Sequence, residues 1–323
     1  MSSGLHQPRR PRGQHGAALL TAMIIVTLVA SLAAAMVWRQ YRAVQVEAAE
    51  RARAQSSWIL QGALDWARLI LREDAVNNQK NPVDHLGEVW NVPLAEARLS
   101  TFLAADKAQT DDGPAAFLSG SIEDAQSRYN LRNLVGAQQQ VSAQELQTLE
   151  NLCQTAGVSV SVAASIAGQL RAAFAATPES GAPLRPLDLD QLQWLGLDAE
   201  TIERLRPLVT LLPVSTPVNL NTASREVIAA LLDVDLAAAE RLVKGRQNAP
   251  LSNLQDSQAY FNQSPVPDAA RASVSSSFFY VTGRLRLDER VLVERSLIRR
   301  NGLNMQVLDR RRISQVLDAQ YGR

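Results

Sequence analysis

The sequence predicts an α+β protein in which a long N-terminal helix packs on an antiparallel sheet and a large all-helical block is inserted before the sheet is complete. Three observations carry this. No Pro or Gly occurs from Ala17 through Gln61, a stretch of 45 residues whose first 21 carry no charge. Residues 136–270 read as helices joined by Pro- and Gly-bearing loops, with breaks at Gly157, Pro178–Pro186, Gly196, Pro207, Pro213–Pro217 and Gly245–Pro250. From Ser275 onward the pattern changes to runs of β-branched and aromatic residues.

The uncharged run Ala17–Val37 makes a helix of roughly 32 Å, close to a hydrocarbon core of about 30 Å. Trp38, with an amphipathic ring suited to a membrane interface, follows directly. Arg9, Arg10 and Arg12 precede the run without any acid, which predicts a cytoplasmic N-terminus and an exported remainder. A signal peptide cut after Ala33-Ala34-Ala35, a plain anchor and a buried core helix are the competing readings. The run exceeds an ordinary signal-peptide core of about 7–15 residues. It also continues into good helix formers, and Trp58, Ile59, Ala63, Trp66 and Ile70 recur at i, i+3 or i+4 spacing. This reads as one helix of about 70 Å, its first half in lipid and its second half docked on a folded domain.

Ser121–Leu131 reads as a strand and turn. Within the helical block, Leu197–Leu205 matches Val234–Leu242 at an offset of 37, aligning Asp198 with Asp235, Glu203 with Glu240 and Arg204 with Arg241. Two similar helical hairpins, or chance among Ala/Leu/Glu-rich helices, account for this. The second begins Val218-Asn-Leu-Asn-Thr-Ala-Ser224, which resembles the opening of helix-hairpin-helix DNA-binding modules. Those modules hold phosphate on the amides of a Gly-x-Gly turn. Here Asp233-Val234-Asp235 stands at the turn, where two carboxylates repel phosphate. The Asn/Thr/Ser run is then expected to cap a helix start.

After Ser275 the candidate strands are Phe278–Thr282, Arg284–Leu287, Val291–Val293, Ser296–Arg299 and Val307–Ile313, an antiparallel meander. Arg299, Arg300 and Arg310–Arg312 are read as solvated or edge-protecting charges rather than an anion site.

Composition excludes several classes. Apolar residues are 46% and charged residues 20%, so the chain can bury a core. Net charge is +1, and leaving out the first 16 residues leaves 30 basic against 32 acidic residues, which is not a nucleic-acid binder's balance. The single Cys153 excludes an internal disulfide and a Cys-rich zinc site. Beyond His6 and His15 only His85 remains, a turn residue beside Asp84 rather than a catalyst, and no enzyme motif occurs. Asp111-Asp112, Asp188 with Asp190, and Asp233 with Asp235 are possible hard-cation ligands, but no loop has enough oxygens at a recognised spacing.

Gln14-His15-Gly16 followed by Ala17-Ala18-Leu19-Leu20-Thr21 resembles the type IV prepilin leader. The resemblance implies that a prepilin peptidase cleaves after Gly16 and methylates the amine of Ala17. Most such proteins carry Glu at the fifth mature position, which is Thr21 here. In the family that Glu is thought to neutralise a neighbouring subunit's N-terminal amine, and a lone carboxylate at membrane depth is costly without a partner. A subunit at the tip has no such neighbour ahead of it, so the departure resembles the K component of the minor pseudopilins of type II secretion. Gln61–Ala67, Glu88-Val-Trp90, Pro93-Leu94 and Ile122–Val135 resemble the same family, which usually has Gly where Ser127 stands.

The resemblance implies a leader at 1–16, a transmembrane helix at 17–37, a periplasmic spine helix and the first part of a pilin-like core at 38–135, an inserted SAM-like or helix-hairpin-helix-like domain at 136–270, and the closing strands at 271–323. It also implies an inner-membrane protein that acts by assembly, with pseudopilins I and J as partners, H beneath, and Ca2+ as a family option without assigned ligands. The alternative is a membrane-anchored periplasmic DNA-binding or uptake protein.

Overall fold

The computed structural model describes residues 15–99, 116–175, 181–261, 266–287 and 290–313, with only the backbone of residues 15 and 16. The chain divides into two units, Met1–Trp58 and Ile59–Arg323. Helix α1, His15–Asn77, belongs to both.

In the first unit the apolar side chains of α1 are exposed, from Leu19 and Leu20 through Met36 and Val37. The 18-residue window of highest mean hydropathy reaches 2.4, and the helix is long and apolar enough to cross a membrane. Its hydroxyls are satisfied internally. Thr27 Oγ1 donates to the Met23 and Ile24 carbonyls at 3.0 and 2.9 Å, and Ser31 Oγ donates to the Thr27 carbonyl at 2.8 Å. Such back-bonding leaves no unpaired donor in an apolar surrounding.

In the second unit Leu60, Leu64, Ala67 and Leu71 of α1 are buried, a stripe at i, i+4, i+7 and i+11. The stripe differs from the face read from the sequence. Ile59, Ala63 and Ile70 flank it, whereas Trp58 and Trp66 are 77% and 62% exposed. Helical spacing alone allowed two adjacent faces, and the leucines rather than the tryptophans meet the sheet.

After α1 the chain forms β1 (Leu94–Arg98) and β2 (Ala116–Asp124), then β3 (Tyr129–Asn130). The insertion follows: α2 (Ala143–Thr155), α3 (Ser161–Ala173), α4 (Ala199–Leu205), β4 (Val209–Thr210), β5 (Val218–Asn219), α5 (Arg225–Leu232), α6 (Leu236–Asn248) and β6 (Ala272–Ser273). Strands β7 (Phe278–Leu287), β8 (Arg290–Asn301) and β9 (Asn304–Ile313) close the core. The main sheet has the order β1-β2-β7-β8-β9 and is antiparallel throughout.

The expected strand at Ser121 begins earlier, at Ala116, and ends at Asp124, where a tight 3-10 turn takes over. Strand β1 was not foreseen. The candidate runs after Ser275 merge, because β7 pairs without interruption with both β2 and β8.

Two facing glycines allow close contacts here, Gly283 with α1 and Gly120 with the neighbouring strand. Gly120 pairs with Gly283 across β2 and β7. A Cβ at Gly283 would lie 3.2 Å from Leu60 Cδ2, and one at Gly120 would lie 2.8 Å from the Thr282 carbonyl oxygen. The sheet core gathers Trp90, Ile122, Phe279, Val281 and Ile298 under Leu64 and Leu71, with the Trp90 and Phe279 rings edge to face at 5.4 Å.

The insertion has its own core, a single cluster running from Tyr129 to Ala272. It is therefore slightly wider than the span 136–270. Two short parallel pairs stitch it: β3 with β4, and β5 with β6.

Candidate functional site

The leader residues Met1–Gln14 lie outside the described residues, and Gly16 and Ala17 fall within the helical backbone of α1. Thr21 Oγ1 donates to the Ala17 and Ala18 carbonyls at 3.1 and 2.9 Å. The fifth position of the expected mature chain thus carries a polar group satisfied by its own helix. It requires no partner from another molecule.

The Asn/Thr/Ser run has a larger role than capping. Ser224 does cap α5, its Oγ accepting from the Val227 amide at 3.3 Å. The buried residues before it form a knot between insertion and core. Asn219 Nδ2 lies 3.0 Å from the Asp84 carbonyl, from Asp124 Oδ2 and from Ser276 Oγ. Thr222 Oγ1 and Ser276 Oγ both donate to Asp124 Oδ2 at 2.6 Å, and the Gln126 amide donates to Asp124 Oδ1 at 2.7 Å. Asn221 closes both polar groups of Leu251, accepting from its amide and donating to its carbonyl at 2.9 Å each. Side-chain amides suit this place because each offers donors and an acceptor where backbone strands end without a ladder.

Beside the knot Arg300 enters from β8. Its Nη2 donates to Asp84 Oδ1 and Oδ2 at 2.6 and 2.5 Å and to the Ser276 carbonyl at 2.6 Å, and its Nη1 donates to Asp74 Oδ2 at 2.7 Å. Burial pushes Asp74 up to about 7, with nearby Glu88 and Asp84 adding to the shift and Arg300 opposing it. Burial raises Asp84 against the pull of Arg300. Burial takes Asp124 to about 6 against the hydrogen bonds from Ser276 and Thr222.

Arg299 and Arg312 are exposed, as read from the sequence, although Arg299 lies 5.9 Å above the Phe278 ring. The others are tied to partners: the Arg300 side chain is only 10% exposed, Arg310 pairs with Glu294 and Gln61, and Arg311 pairs with Asp188 and Asp309. Asp84, Gln61 and Asp188 come from distant parts of the chain, so a local reading of the strand pattern had no access to them. His85 is a turn residue, as expected, its Nδ1 accepting the Gly87 amide at 3.1 Å.

The internal repeat corresponds to repeated geometry. Asp198 and Asp235 both cap helices, accepting from the Thr201 and Ala238 amides at 2.7 Å. The residues two positions earlier, Gly196 and Asp233, both adopt left-handed backbone, with φ of 85° and 53°. In the second hairpin the carboxylate of Asp235 already takes the helix N-terminal amide that a phosphate would need, which argues against the DNA-binding alternative.

Of the aspartates weighed as calcium ligands, Asp188, Asp190 and Asp235 are otherwise engaged. Asp188 accepts the Gln191 amide and pairs with Arg311, Asp190 pairs with Arg206, Asp235 caps α6, and Asp111-Asp112 lies outside the described residues. Oxygens of Asp74, Asp84 and Glu88 come within 4.8 Å of one another, but the guanidinium of Arg300 is already bonded to two of these carboxylates. Calcium takes 6–8 oxygen ligands, and these groups do not fit such a shell.

Two family models, both described as type II secretion system protein K, match residues 127–214 and 218–276. The type II secretion system protein K of Pseudomonas aeruginosa is 28% identical over 90% of this chain and 90% of its own length. That of Klebsiella pneumoniae is 28% identical over 92% of this chain and 96% of its length. The chain is similar to type II secretion system protein K along nearly its whole length. That similarity supports a minor-pseudopilin role in type II secretion, and the apolar helix is consistent with a single-pass membrane anchor. A chain of the crystal structure of the GspK-GspI-GspJ complex from enterotoxigenic Escherichia coli shares the fold, with a TM-score of 0.62 at 20% identity, covering 83% of this chain and 99% of that chain. The two matched segments meet between β4 and β5, so each spans one stitched half of the insertion.

Proposed function

We propose that this protein is the tip subunit of the type II secretion pseudopilus and nucleates its assembly, so supporting export of folded proteins across the outer membrane. It acts by assembly and not by catalysis. A prepilin peptidase removes residues 1–16 after Gly16 and methylates Ala17. The helix 17–37 then stays in the inner membrane, with its N-terminus cytoplasmic and the bulk of the chain periplasmic.

The observation that carries the reading is Thr21. Its hydroxyl is spent on the Ala17 and Ala18 carbonyls, so the position offers no carboxylate to the amine of a subunit ahead of it. A subunit with nothing ahead of it tolerates that loss. The complex containing GspI and GspJ supports pseudopilins I and J as the partners beside it; H beneath them rests on the family resemblance alone.

Intact-mass and N-terminal analysis of the protein from membranes tests the reading. A start at methylated Ala17 is expected, and Gly16→Asp is expected to block processing while leaving insertion intact. A start at Met36, after Ala35, would instead mark a conventional exported protein. Membranes lacking pseudopilins I and J are expected to yield protein K without the complex that it forms in their presence.

A further inference from the structure

We propose that Asp74 and Asp84, both bonded to Arg300, and Asp124, joined to Asp84 through Ser276, form a proton-operated latch between the helical insertion and the sheet core. The groups come from separate parts of the second unit. Asp74 lies near the end of α1, Asp84 and Glu88 in the segment after it, Asp124 at the end of β2, and Arg300 on β8. The insertion supplies neutral donors, Asn219 and Thr222, to Asp124, while Ser276 bonds to both Asp124 and Asp84. Losing the cluster therefore frees the start of the second hairpin and the segment that leads back into β7.

Charge is out of balance here. Oxygens of Asp74, Asp84 and Glu88 lie within 4.8 Å of one another, Ser276 links Asp84 to Asp124, and Arg300 is bonded to two of these carboxylates, Asp74 and Asp84. The side chains of Arg300 and Asp84 are 10% and 1% exposed, so water does little to screen the excess. Glu88 is held by the His85 amide, Trp90 Nε1 and Asn78 Nδ2, and the His85 ring turns to the Gly87 amide. Neither brings a second cation to Asp74.

A buried carboxylate beside other carboxylates holds its proton more tightly in the folded chain than in the unfolded one. Its contribution to stability is complete below the ordinary carboxylate range near 4. It is lost as pH rises through about 6 for Asp124 and about 7 for Asp74. The latch is tight in mild acid and slackens in mild alkali, opposite to the usual acid weakening of paired carboxylates.

The test uses the full chain in detergent with a chelator present. Amide exchange at Ser276, whose N–H donates to Asp84 Oδ2 at 2.7 Å, is followed from pH 5.5 to 7.5 and corrected for base catalysis. Exchange is expected to rise by more than tenfold in the unaltered protein, because one linked proton gives about tenfold per pH unit up to the folded value of about 7 for Asp74. Amides in the centre of β7 and β8 are expected to change much less. Asp74→Asn, which keeps the shape and removes the charge, is expected to flatten the response. A flat or falling profile at Ser276 in the unaltered protein overturns the latch whether or not the variant folds. So does an equal change throughout the sheet, or a folded Asp74→Asn variant with the full response.

Discussion

Gly196 and Asp233 occupy the same left-handed step, 37 residues apart in sequence, each one residue before the Leu or Val that precedes an aspartate helix cap. Space is open around a Cβ at Gly196, so substitution there meets a backbone penalty without a steric one. Gly196→Ala is expected to cost about 1 kcal/mol, because L side chains disfavour this region. Asp233→Gly is expected to be neutral or to add up to about 1 kcal/mol, since the native residue already carries that penalty. Denaturant unfolding of both variants checks the opposite trends.

Asn221 closes both polar groups of Leu251 in a buried setting. Asn221→Ala strands a donor and an acceptor and is expected to destabilise the insertion by about 2 kcal/mol or more. Ser224→Ala removes one helix cap nearby and is expected to cost about 1 kcal/mol. Thermal unfolding of the two variants side by side reads the difference.

Gly120→Ala places a Cβ 2.8 Å from the Thr282 carbonyl, which is backbone and cannot swing away. A loss of about 1–3 kcal/mol is expected, as for other overpacked sites. A denaturant midpoint equal to that of the unaltered protein would show that β2 and β7 can separate slightly at this point.

Leu71 is fully buried between α1 and the sheet, whereas Trp66 projects outward from the same helix. Leu71→Ala is expected to cost about 2–5 kcal/mol. Trp66→Ala is expected to lie within about 0.5 kcal/mol of the unaltered protein, as exposed sites do. Equilibrium unfolding that ranked the two in reverse order would contradict the observed rotation of α1.

The long helix was legible because nothing interrupts it, and the meander was legible because β-branched residues crowd after Ser275. The repeat was legible as matched letters at 198 and 235. What lay beyond reach depended on distant partners. Arg300 looks like any surface arginine until β8 brings it to Asp84, 216 residues away. Asn219 and Thr222 looked like part of a capping run because their partners, Asp124 and Ser276, enter from other segments. The face of α1 was ambiguous for a different reason: the buried leucines and the tryptophans lie more than a third of a turn apart with Ile59, Ala63 and Ile70 between, and only the sheet selects between them. Strand β1 carries Glu96 and Arg98 among small residues, a pattern with no strong alternation.

The paired short strands give each half of the insertion a drawstring. Tyr129–Asn130 lies against Val209–Thr210, and Val218–Asn219 lies against Ala272–Ser273, so each loop of chain returns to where it left. Such a cassette can lengthen, shrink or be exchanged between homologues while the strands that frame it stay in place. Diversity within the insertion then comes at little cost to the sheet that frames it.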